Sequence, residues 1–146
     1  MGVDIEVVRD VTDEVVAAFA RLLPQLTGSA AAPDAQQLRT LVSWPGHRLL
    51  VARVDGQIVG ALTLAVFPIP SGLRAWIEDV VVDDAARGRG VGAALTQEAI
   101  RLARADGAST VDLTSRPSRE AANRLYERLG FRVRDSKVYR LAEQTP

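Results

Sequence analysis

The chain has 146 residues, with 18 Lys and Arg against 18 Asp and Glu, one His and no Cys. This length suffices for one packed domain, expected over residues 1–146 with an ordered core at about 3–141, without a disulfide or metal to hold it together. The missing cysteines exclude disulfide scaffolds, zinc–thiolate sites and cysteine nucleophiles, and zero net charge argues against binding nucleic acid or anionic membrane by bulk electrostatics.

The opening MGVDIEVVRD has no basic flank followed by an apolar run, and nowhere do about 18 apolar residues run together. Neither a signal peptide nor a membrane span is therefore expected, and a cytoplasmic protein is. Val3 to Arg9 alternates apolar and polar, as a half-buried strand does. Thr12 is placed to cap a helix whose Val15, Val16, Phe19, Leu22 and Leu23 recur at helical spacing up to Pro24. Thr27 to Pro33 reads as a small-residue loop, and a second helix is expected from Asp34 to Val42, ended by Trp44-Pro45-Gly46.

Arg48 to Val54 and Gln57 to Val66 flank Asp55-Gly56, a dipeptide that favours the positive φ of a tight hairpin. Pro68 to Gly72 makes a second turn, and Leu73 to Val82 completes an antiparallel meander ending in the apolar run Val80-Val81-Val82. After the Arg87 to Gly92 turn comes a helix with Val91, Leu95, Leu102 and Ala103 in a stripe up to Asp106-Gly107. Ser109 to Thr114 is an expected strand, Ser118 to Leu129 a helix closed by Gly130, and Phe131 to Arg134 and Ser136 to Leu141 two last strands. The tail Glu143 to Pro146 reads as dispensable, and Trp44 and Trp76 read as core residues.

Gly88, Gly90 and Gly92 lie between the end of the meander and a helix. They free the backbone to turn consecutive N–H groups toward one spot, and the helix adds its unsatisfied amides and the positive end of its dipole. Arg87 and Arg89 put charge beside it. A diphosphate suits such a cradle; a plain tight turn is the alternative. Gly88, Gly90 and Ala93, with Asp112 about 20 residues on, also satisfy a dinucleotide-binding fingerprint, but an antiparallel meander in front of the turn does not suit a parallel doubly wound sheet. A Walker loop is excluded because no Gly-Lys-Ser/Thr follows.

These residues resemble the GNAT superfamily of acetyl-coenzyme A dependent N-acetyltransferases. Arg87, Gly90 and Gly92 match its Gln/Arg-x-x-Gly-x-Gly/Ala motif, and Asn123, Tyr126, Gly130 and Phe131 match Asn-x-x-Tyr-x-x-x-Gly-Phe. The resemblance covers about Val3 to Leu141. It implies an α/β (α+β) acyl-CoA N-acyltransferase fold: a mixed, mostly antiparallel sheet of about seven strands flanked by four helices and splayed between strands 4 and 5. It also implies acetyl-CoA as co-substrate, with no metal. Backbone groups of Val80, Val81 and Val82 would meet the pantetheine arm, and the amides of Gly88, Arg89, Gly90, Val91, Gly92 and Ala93, with Arg87 and Arg89 as countercharges, would hold the diphosphate. Asn123 would hydrogen-bond the coenzyme. Arg116 and Arg119 are candidates for its 3′-phosphate or are solvated charges.

Transfer to an amine requires a base for an ammonium of pKa near 10, and an acid for a departing thiolate whose conjugate acid has a pKa near 8.5. Glu78, in Trp76-Ile77-Glu78-Asp79-Val80, is the candidate base, with Asp79 as the fallback and a rim carboxylate as the plain reading. If alternation holds, Glu78 and Val80 share one strand face, and Asp79 and Val81 the other. Tyr126 is the candidate acid or a packing residue; Asn123, three residues before it, shares its helix edge. His47, the lone histidine, assembles no metal site by itself. Phe67 with Pro68-Ile69-Pro70, and the Leu26 to Ala32 loop, are candidate walls of an acceptor pocket. The expected activity is acetylation of a small-molecule primary amine by direct attack in a ternary complex. A protein or peptide acetyltransferase and a non-catalytic acyl-CoA binding module are the alternatives. Leu22 to Thr27 with Ile77-Glu78-Asp79 is faintly similar to glucosamine-phosphate N-acetyltransferases, and a homodimer is an assembly compatible with the resemblance.

Overall fold

The computed structural model describes residues 2–28 and 31–142, so the tail at 143–146 and two residues of the loop after the first helix lie outside the described residues. Five strands form one sheet in sequential order: β1 (Asp4–Val7), β2 (His47–Val54), β3 (Gln57–Ile69), β4 (Gly72–Val82) and β5 (Thr110–Leu113). Pairing is antiparallel from β1 to β4, and β4 and β5 run parallel. Helix α3 (Val91–Ala105) makes the crossover that a parallel pair requires. Helices α1 (Asp13–Leu26) and α2 (Ala35–Ser43) precede β2, and α4 (Glu120–Arg128) follows β5.

Local chemistry explains most boundaries. The Thr12 hydroxyl accepts the Val15 N–H at 3.2 Å, and Asp34 and Gln37 close a reciprocal capping box at 2.8 and 2.9 Å. Asp55 and Gly56 both hold positive φ, 51° and 80°, between β2 and β3. Helix α1 runs two residues past Pro24, the expected stop, because a proline so near the end removes only one helical N–H.

The sheet is buried on both sides, and strand alternation divides its side chains. Leu50, Ala52, Leu62, Leu64, Ala75 and Ile77 pack with Val91, Leu95, Ala99 and Ala103 of α3. Leu49, Val51, Ile58, Ala61 and Val81 pack with Val15, Ala18, Phe19 and Leu22 of α1 and Leu38 of α2. Gly60 sets how close α3 comes: a Cβ there would lie 2.9 Å from Val91 Cγ1, 3.1 Å from Leu95 Cδ1 and 3.1 Å from the Val81 carbonyl.

Two expectations are corrected. The described sheet has five strands, not about seven: Phe131–Arg134 and Ser136–Leu141 form none, and Val133 and Tyr139 are 94% and 87% exposed. A hairpin commonly needs a loop of two residues or more, and Asp135 alone separates these segments. Neither tryptophan belongs to the core. Trp44 caps the C-terminus of α2 in solvent at 58% exposure, and Trp76 is half-buried.

Gly60→Val should overpack the contact between β3 and α3 and cost about 1–3 kcal/mol. A lowered urea midpoint with an unchanged m-value is the expected result; an unchanged midpoint would show that Val91 and Leu95 rearrange without cost.

Candidate active site

The glycine turn begins where β4 ends. The Asp83 N–H donates to the Val59 carbonyl at 2.8 Å, and the Asp83 carboxylate caps a short 3-10 turn over Asp84–Ala86 by accepting the Ala85 N–H at 3.1 Å. Gly88 and Gly90 then hold φ of +82° and +77°, where an L side chain is strained, and a Cβ on either would meet nothing within 4 Å. Their glycines answer a conformational need, and the space around them is open. Gly90 is the N-cap of α3 and offers no side-chain cap, so the first amides of the helix, at Val91, Gly92 and Ala93, face the turn without a side-chain acceptor. Arg87 pairs with Asp84 at 2.8 Å, both well exposed, and Arg89 is exposed.

Two α1 residues not singled out in the sequence fix this turn. Arg21 donates to the Ile58 carbonyl at 2.6 Å and to Asp83 Oδ2 at 3.3 Å. Gln25, one helical turn on, accepts the Asp84 N–H at 2.8 Å and donates to the Arg21 carbonyl at 3.2 Å. Their spacing of four on the polar edge of α1 was the available signal. The Ala85 N–H first, and then Arg21 and Gln25, hold the Asp83 carboxyl below the ordinary range against slight desolvation.

The catalytic candidates of β4 sit at a break in the ladder. Thr63 pairs with Glu78 and Ala61 with Val81, so Asp79 and Val80 together oppose Leu62 in a β-bulge, and Asp79 holds φ of 50°. The bulge overturns the expectation that Glu78 and Val80 share a face. Val80 and Val82 pack with Ile77 on the α3 side, whereas Val81 packs on the α1 side. Glu78 follows its cross-strand partner Thr63 toward the α1 side, where Asp79 also points, lining a hollow with Thr63 and Val81. Partial burial first, and the neighbouring Asp79 carboxylate second, push the Glu78 carboxyl above its usual range.

Pairing of β4 with β5 ends at Ile77 and Leu113, while β4 continues to Val82, so the β5-side edge of β4 from Glu78 onward has no strand partner among the described residues. A splay is open there beside the glycine turn. Helix α4 stands at its mouth: a Cβ on Gly92 would lie 3.3 Å from Leu125 Cδ2 and 3.8 Å from Val82 Cγ2. The start of α3, the end of β4 and the middle of α4 therefore converge.

Tyr126, next to Leu125, is half-buried, and its ring meets Phe131 edge to face at 5.9 Å. Burial pushes its phenol up, with Arg119 opposing, so the hydroxyl holds its proton at neutral pH. The Asn123 amide donates to the Arg116 carbonyl at 3.0 Å, leaving its second N–H and its oxygen for a ligand. Arg119 donates to the Leu26 carbonyl at 3.2 Å and ties the start of α4 to the end of α1.

The hollow beside Asp79 has a volume of about 270 Å³ and is lined by Phe19, Leu23, Leu26, Ala31, Thr63 and Val81 among others. The loop after α1 thus contributes Leu26 and Ala31 to its wall. Phe67 and the Pro68–Pro70 turn are not among the lining residues. His47 opens β2 beside Val7, Val8 and Arg9, in a different hollow.

The sequence profile of the acetyltransferase (GNAT) family matches residues 11–131. Glucosamine 6-phosphate N-acetyltransferase of Trypanosoma brucei brucei is 40% identical over 86 residues, covering 57% of this chain and 56% of that protein, so the chain matches only about half the length of that relative. A solved acetyltransferase structure from Trypanosoma brucei is 28% identical, covers 97% of this chain and 100% of its own and superposes with a TM-score of 0.77. An aminoglycoside acetyltransferase from an uncultured soil metagenomic sample, 20% identical with a TM-score of 0.83 over 98% and 97% of the two chains, shares the fold.

Ionising Glu78 costs the folded state, because its folded pKa lies above the unfolded one. The folded chain binds that proton more tightly, so this contribution to stability declines as pH rises from about 4.5, the ordinary carboxyl value, through the raised folded value. Glu78→Gln should therefore raise the urea midpoint above the parent's at about pH 7 and lose that advantage near pH 3.5. An advantage that persists undiminished in acid would assign it to packing.

Proposed function

Because the chain belongs to the acetyltransferase (GNAT) family, we infer that it moves the acetyl group of acetyl-CoA to a primary amine of a small molecule by direct attack in a ternary complex. The observation that carries this reading is the splay, which sets an unpaired strand edge, an open glycine turn and two carboxylates side by side. Acetyl-CoA supplies the activated acetyl thioester. The amides of Gly88 to Ala93 hold its diphosphate, and the free edge of Val80 to Val82 pairs with the amides of its extended arm as a strand would. Arg87, paired with Asp84, and Arg89 are the countercharges beside the turn.

Glu78 accepts the proton of the ammonium, directly or through a water. Its raised pKa brings a carboxylate closer to the basicity that this transfer requires. The freed amine attacks the carbonyl carbon as the C–N bond forms. The C–S bond then breaks, the Tyr126 hydroxyl, kept protonated by its burial, gives the sulfur its proton, and the proton that the nitrogen sheds on becoming an amide restores the phenol through solvent. Asp79, which lines the hollow, holds the acceptor's cationic end and is the fallback base.

The relative's name makes an amino sugar phosphate the first acceptor to try. Thiol release from acetyl-CoA should be fastest with glucosamine 6-phosphate or another small amine in a panel that also holds polyamines, aminoglycosides and lysine peptides. Release with peptides alone would replace the small-molecule reading with a protein acetyltransferase, and binding of acetyl-CoA without any release would leave a silent binding module.

Tyr126→Phe should lower kcat about 10²- to 10⁴-fold and leave acetyl-CoA affinity within a few-fold, since the hydroxyl acts only as charge develops on sulfur. Full activity in a folded Tyr126→Phe protein would return Tyr126 to packing against Phe131.

A further inference from the structure

The hollow beside Asp79 constrains the body that the amine can carry. Leu38, Leu49, Ala61 and Val81, all buried, line it together with half-buried Leu23 and Leu41. Among the described residues that line it, Asp79 alone is charged, and Gln37 and Thr63 alone are polar and uncharged. The Gln37 side-chain oxygen is already engaged, accepting the Asp34 N–H at 2.9 Å in the capping box of α2. The loop after α1, from Thr27 to Pro33, has no charged residue in its sequence.

Strand alternation is the cause. The side chains that β2, β3 and β4 turn toward α1 and α2 are aliphatic, Leu49, Val51, Ile58, Ala61 and Val81, and the bulge sets the Asp79 carboxylate into this otherwise apolar face. The partial burial that raises the neighbouring Glu78 carboxyl reports the same low polarity.

A ligand held here must present one cation and otherwise apolar surface. A phosphate would meet a carboxylate and no countercharge. Arg21 is committed to the Ile58 carbonyl and Asp83, and Arg119, exposed and donating to the Leu26 carbonyl, does not line the hollow. Sugar hydroxyls would lose their water against leucine side chains, and a second ammonium, as in a polyamine, would be stranded among them; each such group without a partner weakens binding. Size agrees with an apolar body. A dry cavity of about 150 Å³ takes a benzene ring, so about 270 Å³ accepts a phenyl ring on a short alkyl link.

On the acetyl-transfer reading, on which this inference rests and which it deepens, we propose that the acceptor is a small arylalkyl or alkyl primary amine, its ammonium on Asp79 and its apolar body against α1 and α2. The ammonium loses two protons as the C–N bond forms and the C–S bond breaks, one reaching the thiol of coenzyme A and the other the solvent. The product is a neutral amide, so Asp79 no longer holds a cation and the product leaves.

Thiol release at saturating acetyl-CoA tests the assignment. From ethylamine to hexylamine, kcat/KM should rise about three- to four-fold for each added CH₂. The value for 2-phenylethylamine should exceed that for glucosamine 6-phosphate by about 10²-fold or more. Asp79→Asn keeps the size of the side chain and its tolerance of positive φ. It should raise the KM for 2-phenylethylamine about ten-fold or more, while acetyl-CoA affinity by calorimetry stays within about two-fold. A flat alkyl series, a preference for glucosamine 6-phosphate or spermidine, or an unchanged KM in folded Asp79→Asn would each overturn the inference and leave acetyl transfer standing. Absence of release with every amine, from a protein that binds acetyl-CoA, would remove the transfer reading and the inference with it.

Discussion

The bulge at Asp79 and Val80 governs the rest of the site. A regular β4 would alternate through its whole length and remain free to follow β5. Two residues opposite Leu62 instead shift the alternation by one, so that Ile77 and Val80 pack under α3 while Val81 packs under α1. Glu78 and Asp79 are left as neighbours on the α1 side with no apolar residue between them, and their proximity is the second reason, after burial, why Glu78 holds its proton more tightly. Asp is one of the few residues besides glycine that enters the left-handed region readily, which suits Asp79 to its φ of 50°. The bulge also increases local twist at the level where β4 and β5 part.

The two ends of the splay are held by different means. On the glycine side, Arg21 and Gln25 reach from α1 to Asp83, Asp84 and the Ile58 carbonyl, so the turn is fixed by side chains outside it. This leaves its own amides unspent, and the hydrogen bonds that order the backbone do not compete with an anion. On the α4 side, Arg119 spans to the Leu26 carbonyl and Asn123 holds the loop at Arg116. Helix α1 thus braces both the turn and the start of α4, and a helix that reads in sequence as plain core packing on one face carries the alignment of the site on the other.

Signals that act over a few residues were legible in the sequence. The Thr12 cap, the Asp55-Gly56 hairpin, Gly130 at the end of α4 with φ of 102° and the open turn at Gly88 and Gly90 each depend on local chemistry, and each stands where the residues put it. The meander followed from periodicity and the strand after α3 from its apolar run, and their place in a mixed sheet from the family motifs, whereas the parallel pairing of β4 with β5 is seen only in the fold. A bulge carries no such mark, because inserting Asp79 or Val80 changes no residue type, only the register against β3. Trp44 was misread because size and apolarity favour burial on average, while its place at a helix end beside Pro45-Gly46 leaves it in solvent. Phe131 to Leu141 has a strand's composition, but composition does not supply the partner edge that a strand needs.

The acid and base candidates rest on supports of unequal strength. Glu78 is on a strand paired along its length with β3 and packed from both faces, so its backbone opens only with the sheet itself. Tyr126 is on a nine-residue helix without a side-chain cap and without a buried residue, a length at which an isolated helix does not persist in water. Its position depends on a few contacts: Phe131 against the ring, Leu125 near Gly92, Arg119 on the Leu26 carbonyl. Gly92 matters among them, since a Cβ there would lie 3.3 Å from Leu125 Cδ2 and a branched residue at the first turn of α3 would crowd α4 at the level of Leu125 and Tyr126. The small residue that begins α3 therefore serves the seating of α4 as much as the open turn before it.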